Sequence, residues 1–173
     1  SHEWIVQRTG IQRRHICDQE TEGEFTLARD ATRQAIERAD VDPGEIDLLI
    51  HASVSAEMTC PSNACRIAAE LGLAPAGAFD LVAACSGFLY GINVADTLIR
   101  SGRHKTIAVV GCDAMSTCVD YDERSVSILF GDGAGAMVLT RDDDPNRGSL
   151  YQTMGADGAI WQSLYMPRRS QEI

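Results

Sequence analysis

Apolar positions along the chain change their spacing in a regular order, which predicts alternating helices and strands. Between residues 25 and 39 they recur at helical spacing and are interleaved with charged residues. Near-continuous apolar runs follow at 46–54, 78–83 and 106–112, and such runs are typical of buried strands. The sequence therefore predicts one helix and three buried strands over its first two thirds.

The segments between and after these strands complete the predicted architecture. Pro61 favours the start of a second helix that ends near Gly72, and a third helix is predicted from Cys85 to about Ser101. Strands followed by helices in this way indicate an α/β layered domain with a largely parallel sheet. Two more strands, at 125–130 and 134–140, are too close for a helical crossover and should form an antiparallel pair.

Other segments carry weaker patterns. A short basic segment opens the chain and turns at Gly10, and residues 150–154 are a possible further strand. Small residues at Gly87, Gly91 and Ala95 recur every fourth position of the third helix. Such a ridge lets another backbone approach closely, so we expect a neighbouring helix to cover it.

Composition restricts the possible classes of protein. The 173 residues suit one domain, and 25 acidic against 15 basic residues give a formal net charge of -10, which argues against a nucleic-acid binder. No apolar run reaches the length of a membrane span, and no secretory signal is recognised. The six cysteines are scattered without C-x-x-C spacing, so we expect reduced thiols, no metal site and a cytoplasmic protein.

Cys85 lies where a strand pattern changes into a helix pattern. Unpaired N–H groups and the helix dipole at a helix start favour an anionic sulfur, and a thiolate is the nucleophilic form of cysteine. A small buried apolar side chain is the alternative interpretation. None of the four histidines has a context that marks it as a base for Cys85, and His51 is predicted to be a strand or core residue.

Two further groupings have alternative interpretations. The 131–136 segment has G-x-G-x-G spacing and precedes a strand, so we interpret it as a tight glycine turn and not as a dinucleotide-binding loop. An aromatic and basic grouping either binds an adenine ring and phosphates or is a solvated face. Its members are Trp4, Arg8, Arg13, Arg14 and Arg124.

Four motifs in order resemble one family. Segments 3–11, 79–88, 122–125 and 130–136, with Ala156-Asp-Gly158 behind them, are similar to the N-terminal half of 3-oxoacyl-[acyl-carrier-protein] synthase III, the initiating condensing enzyme of type II fatty-acid synthesis. The resemblance implies a thiolase-like fold, of which residues 1–173 would form one half as a single half-domain. That half would have α/β/α layers around a five-stranded mixed sheet. The family's opening strand and its second half would be absent.

The resemblance also implies roles for individual residues. Cys85 would accept an acyl group from coenzyme A as a thioester, and its backbone N–H would contribute to an oxyanion hole. Trp4 and Arg124 would sandwich the adenine of coenzyme A. Arg8 and Thr9 would lie in the segment that binds coenzyme A. Phe130 and Gly131 would border the active site. Cys60 would reach across a dimer into the partner's acyl pocket.

Substrates and partners follow from the same resemblance. Coenzyme A would enter as an acyl-CoA substrate, with no cofactor, and the acyl group would pass to malonyl-acyl carrier protein in a homodimeric enzyme. The family's catalytic His and Asn belong to the second half, so this chain alone should not catalyse the condensation. Two alternatives are a related polyketide- or quinolone-type priming synthase and a non-catalytic partner subunit of a synthase.

Overall fold

A mixed sheet of four strands lies at the centre of the computed structural model, which describes residues 1–73, 75–144 and 146–167. The strands are β1 (Leu48–Ala52), β2 (Gly77–Leu81), β3 (Thr106–Ala114) and β4 (Asp132–Thr140). They lie in the order β2-β1-β3-β4. β1 is parallel to both neighbours, whereas β3 and β4 are antiparallel. The three predicted buried strands are thus confirmed as β1, β2 and β3.

Five α-helices surround the sheet in the described ranges. They are α1 (His2–Thr9), α2 (Glu24–Ala39), α3 (Asn63–Glu70), α4 (Gly87–Arg100) and the single turn α5 (Arg124–Ser127). α1 ends at Gly10, whose φ of 74° is the left-handed conformation that glycine adopts without strain. α3 begins after Pro61, because the Ser62 side chain caps it by accepting a hydrogen bond from the backbone N–H of Cys65.

The alternation of side chains along β1 and β3 divides the core into two clusters. One cluster is buried under α2 and α3 and the other under α4, so that helices cover both faces of the sheet. The strand residues facing α2 and α3 include Leu49, Ala108, Val110 and Cys112, and those facing α4 are Leu48, Ile50, Ile107 and Val109. The predicted α/β/α layering is confirmed.

The sheet has four strands where five were expected. Residues 125–130 were predicted as a strand, yet they contain α5 and a turn. Glu123 caps this helical turn by accepting a hydrogen bond from the backbone N–H of Ser125, which favours helix over strand at this point. The antiparallel partner of β4 is therefore β3, with Gly111 opposite Gly135. Residues 150–154 are not a strand either.

The ridge of small residues on α4 faces the sheet and not another helix. A Cβ at Gly91 would lie 2.8 Å from Cγ1 of Val109, and one at Gly87 would lie 3.1 Å from Cβ of Ala52. Ala95 is fully buried between α4 and the strands. The prediction of close backbone approach is correct, but the approaching element is the sheet.

None of the helices within the described ranges combines the length and apolar character that crossing a membrane requires.

Candidate active site

Cys85 lies in a sharp connection between β2 and α4. The chain leaves β2 after Leu81, forms a 3-10 turn at Ala84–Ser86 and enters α4 at Gly87. Ala84 has φ of 46°, a left-handed conformation that is strained for any residue with a Cβ. Backbone strain of this kind concentrates at functional sites, where it fixes a side chain in an unusual position. The Cys85 side chain is exposed at this turn.

An apolar cavity of about 720 Å³ opens around Cys85. Phe88 of α4, Phe130 and Gly131 contribute to its wall, together with the ends of β1 and β3. Three residues that the sequence assigned to the active site thus share one cavity: Cys85, Phe130 and Gly131. An apolar pocket that presents an exposed thiol is the arrangement expected for a site that covalently holds an acyl chain.

Trp4 and Arg124 form a second cluster, as the sequence predicted. The guanidinium carbon of Arg124 lies 4.8 Å from the centroid of the Trp4 ring, and that of Arg8 lies 5.5 Å from it. Both distances fall within the range of cation–π attraction. Trp4 and Arg124 also line a surface cavity of about 600 Å³. Because Arg124 now covers the indole, a base inserted between them would displace the guanidinium.

Thr9 has a local structural role in α1. Its hydroxyl donates to the carbonyl of Ile5 at 2.8 Å and accepts from the backbone N–H of Ile11 at 3.0 Å. These bonds fix the turn after α1. The hydroxyl therefore supports the Trp4 and Arg8 segment and already has two partners within the chain.

The two cavities border the same short turn. Ile128 lines the Trp4 cavity, and its neighbours Leu129 and Phe130 line the Cys85 cavity. Arg14 donates a hydrogen bond to the carbonyl of Ile128, so the segment after α1 is attached to this turn. The basic and aromatic surface is therefore adjacent to the cysteine cavity.

The 131–136 segment was interpreted as a tight glycine turn, but from Asp132 onward it is extended and forms the start of β4, paired with β3. Asp132 fixes this start of β4 to neighbouring segments. Its carboxylate accepts hydrogen bonds from the backbone N–H of Cys17 at 2.8 Å and of Ser116 at 2.7 Å. Burial opposes ionisation of Asp132, but these bonds and one from the Ser116 hydroxyl outweigh it and hold the pKa of the carboxyl below its usual value. The glycine-rich motif in the sequence does not by itself indicate this role of Asp132.

Asp113, at the end of β3, fixes the segment that follows β1. Its Oδ1 accepts hydrogen bonds from the backbone N–H groups of Val54 and Ser55 and from the hydroxyls of Ser53 and Ser55. Asp113 also lines the Cys85 cavity. Only the fold brings these residues together, because they are about sixty positions apart in the sequence.

The remaining thiols and histidines lie outside the Cys85 cavity or are structural. Cys60 is exposed and is not among the residues lining that cavity, so its contribution to a partner's pocket stays a prediction. Burial raises the pKa of Cys17 to about 11, with a further contribution from Asp132, so its thiol keeps its proton. Possible metal-ligand atoms of His15 and Glu22 lie within 4.8 Å of the Cys17 sulfur. The expectation of no metal site stays a prediction. His51 is fully buried, as expected of a core residue.

Comparisons with known proteins agree with this geometry. The family model described as 3-Oxoacyl-[acyl-carrier-protein (ACP)] synthase III matches residues 79–158, which include Cys85, Arg124 and the glycine-rich 131–136 segment. Beta-ketoacyl-[acyl-carrier-protein] synthase III of Methylococcus capsulatus is 44% identical over 167 residues, covering 96% of this chain and 51% of that protein. The chain belongs to the 3-oxoacyl-[acyl-carrier-protein] synthase III family.

Solved structures support the same assignment. The synthase III structure from Pseudomonas aeruginosa PAO1 superposes with a TM-score of 0.91 at 38% identity, covering 99% of this chain and 53% of that chain. The priming beta-ketosynthase from the R1128 polyketide biosynthetic pathway gives a TM-score of 0.80 at 40% identity, covering 83% of this chain and 42% of that chain. The expected synthase III fold is confirmed, and the chain spans about half the length of the curated relatives it matches.

Proposed function

We propose that the protein containing this chain is an initiating condensing enzyme of type II fatty-acid synthesis. It would transfer an acyl group from acyl-CoA to Cys85 and then onto malonyl-acyl carrier protein. The observation that carries the proposal is the position of Cys85. It is an exposed thiol at a strained turn, inside an apolar cavity next to the Trp4 and Arg124 surface.

The first step is acylation of the thiol. Cys85 Sγ attacks the thioester carbonyl of acyl-CoA, the carbonyl oxygen becomes an oxyanion, and the coenzyme A thiolate leaves while the Cys85 proton is taken up by water or the leaving group. The N–H groups of a first helical turn have no partner inside the helix. The backbone N–H of Cys85, in the 3-10 turn before α4, therefore suits a contribution to the oxyanion hole.

Trp4, Arg8 and Arg124 suit the coenzyme A portion of the donor. An adenine ring can stack on the indole, and guanidinium groups form charge-assisted hydrogen bonds with phosphates. The adjacency of the two cavities through residues 128–130 supports the proposal that the donor's thioester end reaches Cys85 while its nucleotide end stays on Trp4. Thr9 would contribute by holding this segment in place.

The second step is the condensation. Malonyl-acyl carrier protein loses CO₂, and the resulting carbanion attacks the carbonyl of the Cys85 thioester. The thiol is released and 3-oxoacyl-acyl carrier protein forms. In the family, a His and an Asn in the other half of the protein promote this step. We therefore expect the chain of 173 residues alone to lack condensing activity.

A priming synthase for another pathway is the second candidate. The similarity to the R1128 priming beta-ketosynthase favours it, because that protein shares the fold at 40% identity. Such an enzyme would use the same Cys85 thioester with a different acyl donor or acceptor. A non-catalytic partner subunit fits less well, because such a subunit has no need of an exposed thiol inside an apolar cavity.

An assay of the intact protein separates these candidates. Acetyl-CoA and longer acyl-CoA donors are each incubated with malonyl-acyl carrier protein, and CO₂ release and 3-oxoacyl product are measured. We expect product that depends on Cys85, so that Cys85→Ala abolishes it and Cys118→Ala, a change at another exposed cysteine, does not. A preference for acetyl-CoA supports fatty-acid initiation, whereas no product from any donor would contradict the proposal.

A further inference from the structure

Four polar side chains, from four different elements, meet in the core beneath α2 and α3. His51 of β1 lies between two carboxylates: Nε2 is 2.5 Å from Glu24 Oε1, and Nδ1 is 3.0 Å from Asp80 Oδ1. Asn63 donates from Nδ2 to Glu24 Oε2 at 2.5 Å. Glu24, His51 and Asn63 are each 2% exposed or less. We call these four residues the His51 network.

The geometry favours a doubly protonated imidazole when both flanking carboxylates are ionised. A neutral histidine has one N–H, so one ring nitrogen would turn a lone pair toward a carboxylate oxygen. Both ring nitrogens of His51 face carboxylate oxygens, so with Glu24 and Asp80 ionised both nitrogens carry protons. Burial alone would lower the pKa of His51, but hydrogen bonds and charge from Glu24 and then Asp80 outweigh it and raise that pKa above the usual value.

The network holds the beginning of α3. Asp80 Oδ2 accepts a hydrogen bond from the backbone N–H of Asn63, and Oδ1 accepts one from that of Ala64, each at 2.9 Å. These are the first two residues of α3, where backbone N–H groups lack partners inside the helix. Asp80 therefore anchors α3 to β2, and His51 orients the carboxylate that does so.

One end of this anchor leads to Cys85 and the other to Cys60, the residue predicted to enter a partner's pocket. Asp80 is five positions before Cys85 on the strand that enters the nucleophile turn, and Asn63 is three positions after Cys60. We propose that Glu24 and His51 are positioning residues that fix the loop at residues 60–62, through Asp80 and the first turn of α3, relative to β2, the strand that leads to Cys85. The catalytic consequence, control of which acyl donors fit, rests on the function proposed above.

The charged groups of the network are two carboxylates and one imidazolium. The two carboxylates, Glu24 and Asp80, flank the imidazolium, and the Cys112 thiol donates to the carbonyl of Glu24 at 3.3 Å. Arg66 Nη1 donates to Glu57 Oε2 at 2.8 Å and lies 3.4 Å from Asn63 Oδ1, which agrees with an Asn63 amide that turns its NH₂ toward Glu24. A neutral amide at position 24 that keeps its oxygen on the imidazolium would place its NH₂ against the NH₂ of Asn63. The opposite amide orientation keeps the bond from Asn63 but needs a neutral His51, so the variant should lower the pKa of His51.

Glu24→Gln in the intact protein tests the proposal without a change in side-chain volume. Hydrogen exchange at the amides of Asn63 and Ala64 is measured near pH 6.5. We expect it to accelerate roughly tenfold or more, as the loss of a buried charge-assisted hydrogen bond implies. Glu37→Gln, on the exposed side of the same helix, is the matched control and should leave exchange unchanged.

The pH profile provides a readout that a purely structural role would not change. In the wild type, exchange at these two amides, corrected for its intrinsic pH dependence, should rise as His51 loses its proton, and Glu24→Gln should shift that rise to lower pH. NMR titration of wild-type protein labelled at histidine carbon Cε1 follows His51 directly and needs no stable variant. A neutral His51 at pH 6.5, or equal exchange in Glu24→Gln and wild type, would overturn the proposal.

Relative acylation rates with short and longer acyl-CoA donors form the final readout. We expect Glu24→Gln to change the ratio of these rates, with Glu37→Gln as control. An unchanged ratio overturns the selectivity role, even if exchange at α3 responds. Absence of acylation in the wild type would instead count against the proposed function, and the exchange and NMR results would still decide whether the His51 network positions α3.

Discussion

The position of the Cys85 side chain depends on the backbone conformation of Ala84, the residue before it. Ala84 has φ of 46°, and the turn it makes places the thiol at the start of α4 with its side chain in the cavity. A left-handed conformation costs an L-residue about 1–2 kcal/mol relative to the right-handed region. The surrounding β2 and α4, both anchored in the sheet, hold this conformation in place.

Substitutions at Ala84 test this interpretation. Ala84→Gly should preserve stability, because relief of strain offsets the greater freedom of glycine in the unfolded chain. Ala84→Val should be less stable than Ala84→Gly by about 1–3 kcal/mol, because a β-branched residue is strongly disfavoured at positive φ. Denaturant unfolding measures both. Ala83→Val, at φ of -146°, is the neighbouring control, and equal stability of the Val and Gly variants at position 84 would contradict the interpretation.

Trp4 and Arg124 also act at the scale of single residues. Removing either one should weaken binding of coenzyme A roughly 2- to 30-fold, as the usual strength of cation–π and stacking contacts implies. Isothermal titration with coenzyme A measures the change. Trp161→Ala removes another half-exposed tryptophan, one that packs against Tyr165, and should leave affinity unchanged. Unaltered affinity in both Trp4→Ala and Arg124→Ala would place the nucleotide elsewhere.

At the scale of elements, α4 approaches the sheet through its small residues. The position of a Cβ on Gly91, 2.8 Å from Val109 Cγ1, leaves no space for a methyl group. Gly91→Ala should therefore destabilise the protein by about 1–3 kcal/mol despite the better helix propensity of alanine. Val109→Ala in the same chain should recover part of that loss, because it creates the missing space. Additive losses in the double variant would contradict the close contact.

Regular elements were predictable where a single periodicity governs them. β1 and β3 are buried on both faces, so their apolar runs were unambiguous, and α2 has a clear helical face. The residues of α5 were predicted to be a strand because hydrophobic periodicity does not reveal the decisive interaction. That interaction is the cap in which the Glu123 side chain accepts a hydrogen bond from the backbone N–H of Ser125. The pairing of β4 with β3 also depends on the whole sheet and not on the short distance between two segments.

The candidate site was predictable only in part. Cys85, Phe130, Gly131, Trp4 and Arg124 were assigned from motifs, and the structure brings them together in two adjacent cavities. The His51 network could not be predicted from the sequence, because its members come from α2, β1, β2 and α3 and share no local sequence pattern. Long-range hydrogen bonds of this kind become visible only when the fold is known.

At the scale of the whole molecule, stability should depend on pH in opposite senses at the two ends of the range. The lowered pKa of Asp132 contributes stability that is present above the unfolded-state pKa, near 4, and is lost as pH falls through the folded-state value. The raised pKa of His51 contributes stability that is fully present below about pH 6.5 and is lost as pH rises through its folded-state value.

Asp132→Asn tests the acid side of this dependence. At pH 7 the variant should be less stable by about 1–3 kcal/mol, because three hydrogen bonds lose a charged acceptor. The difference from wild type should shrink as pH falls below 4. Denaturant unfolding between pH 3 and 7 measures it, with the exposed Asp143→Asn as control. A difference independent of pH would contradict the assignment.

The molecule also exposes apolar side chains near the end of the described chain. Leu150, Tyr151, Ile160 and Leu164 are each more than half exposed, at 77%, 84%, 61% and 72%. Large exposed apolar side chains of this kind are typical of surfaces that contact other protein segments.

The central claim is that Cys85 is the acyl-accepting nucleophile, and mass spectrometry tests it most directly. The intact protein is incubated with acetyl-CoA or a longer acyl-CoA, and its peptides are mapped for the acyl mass. The account predicts one acyl group on Cys85, lost in Cys85→Ser, and no acyl group on the exposed Cys60, Cys65 or Cys118. An unmodified Cys85 with every donor, or acylation that persists in Cys85→Ser, would contradict it.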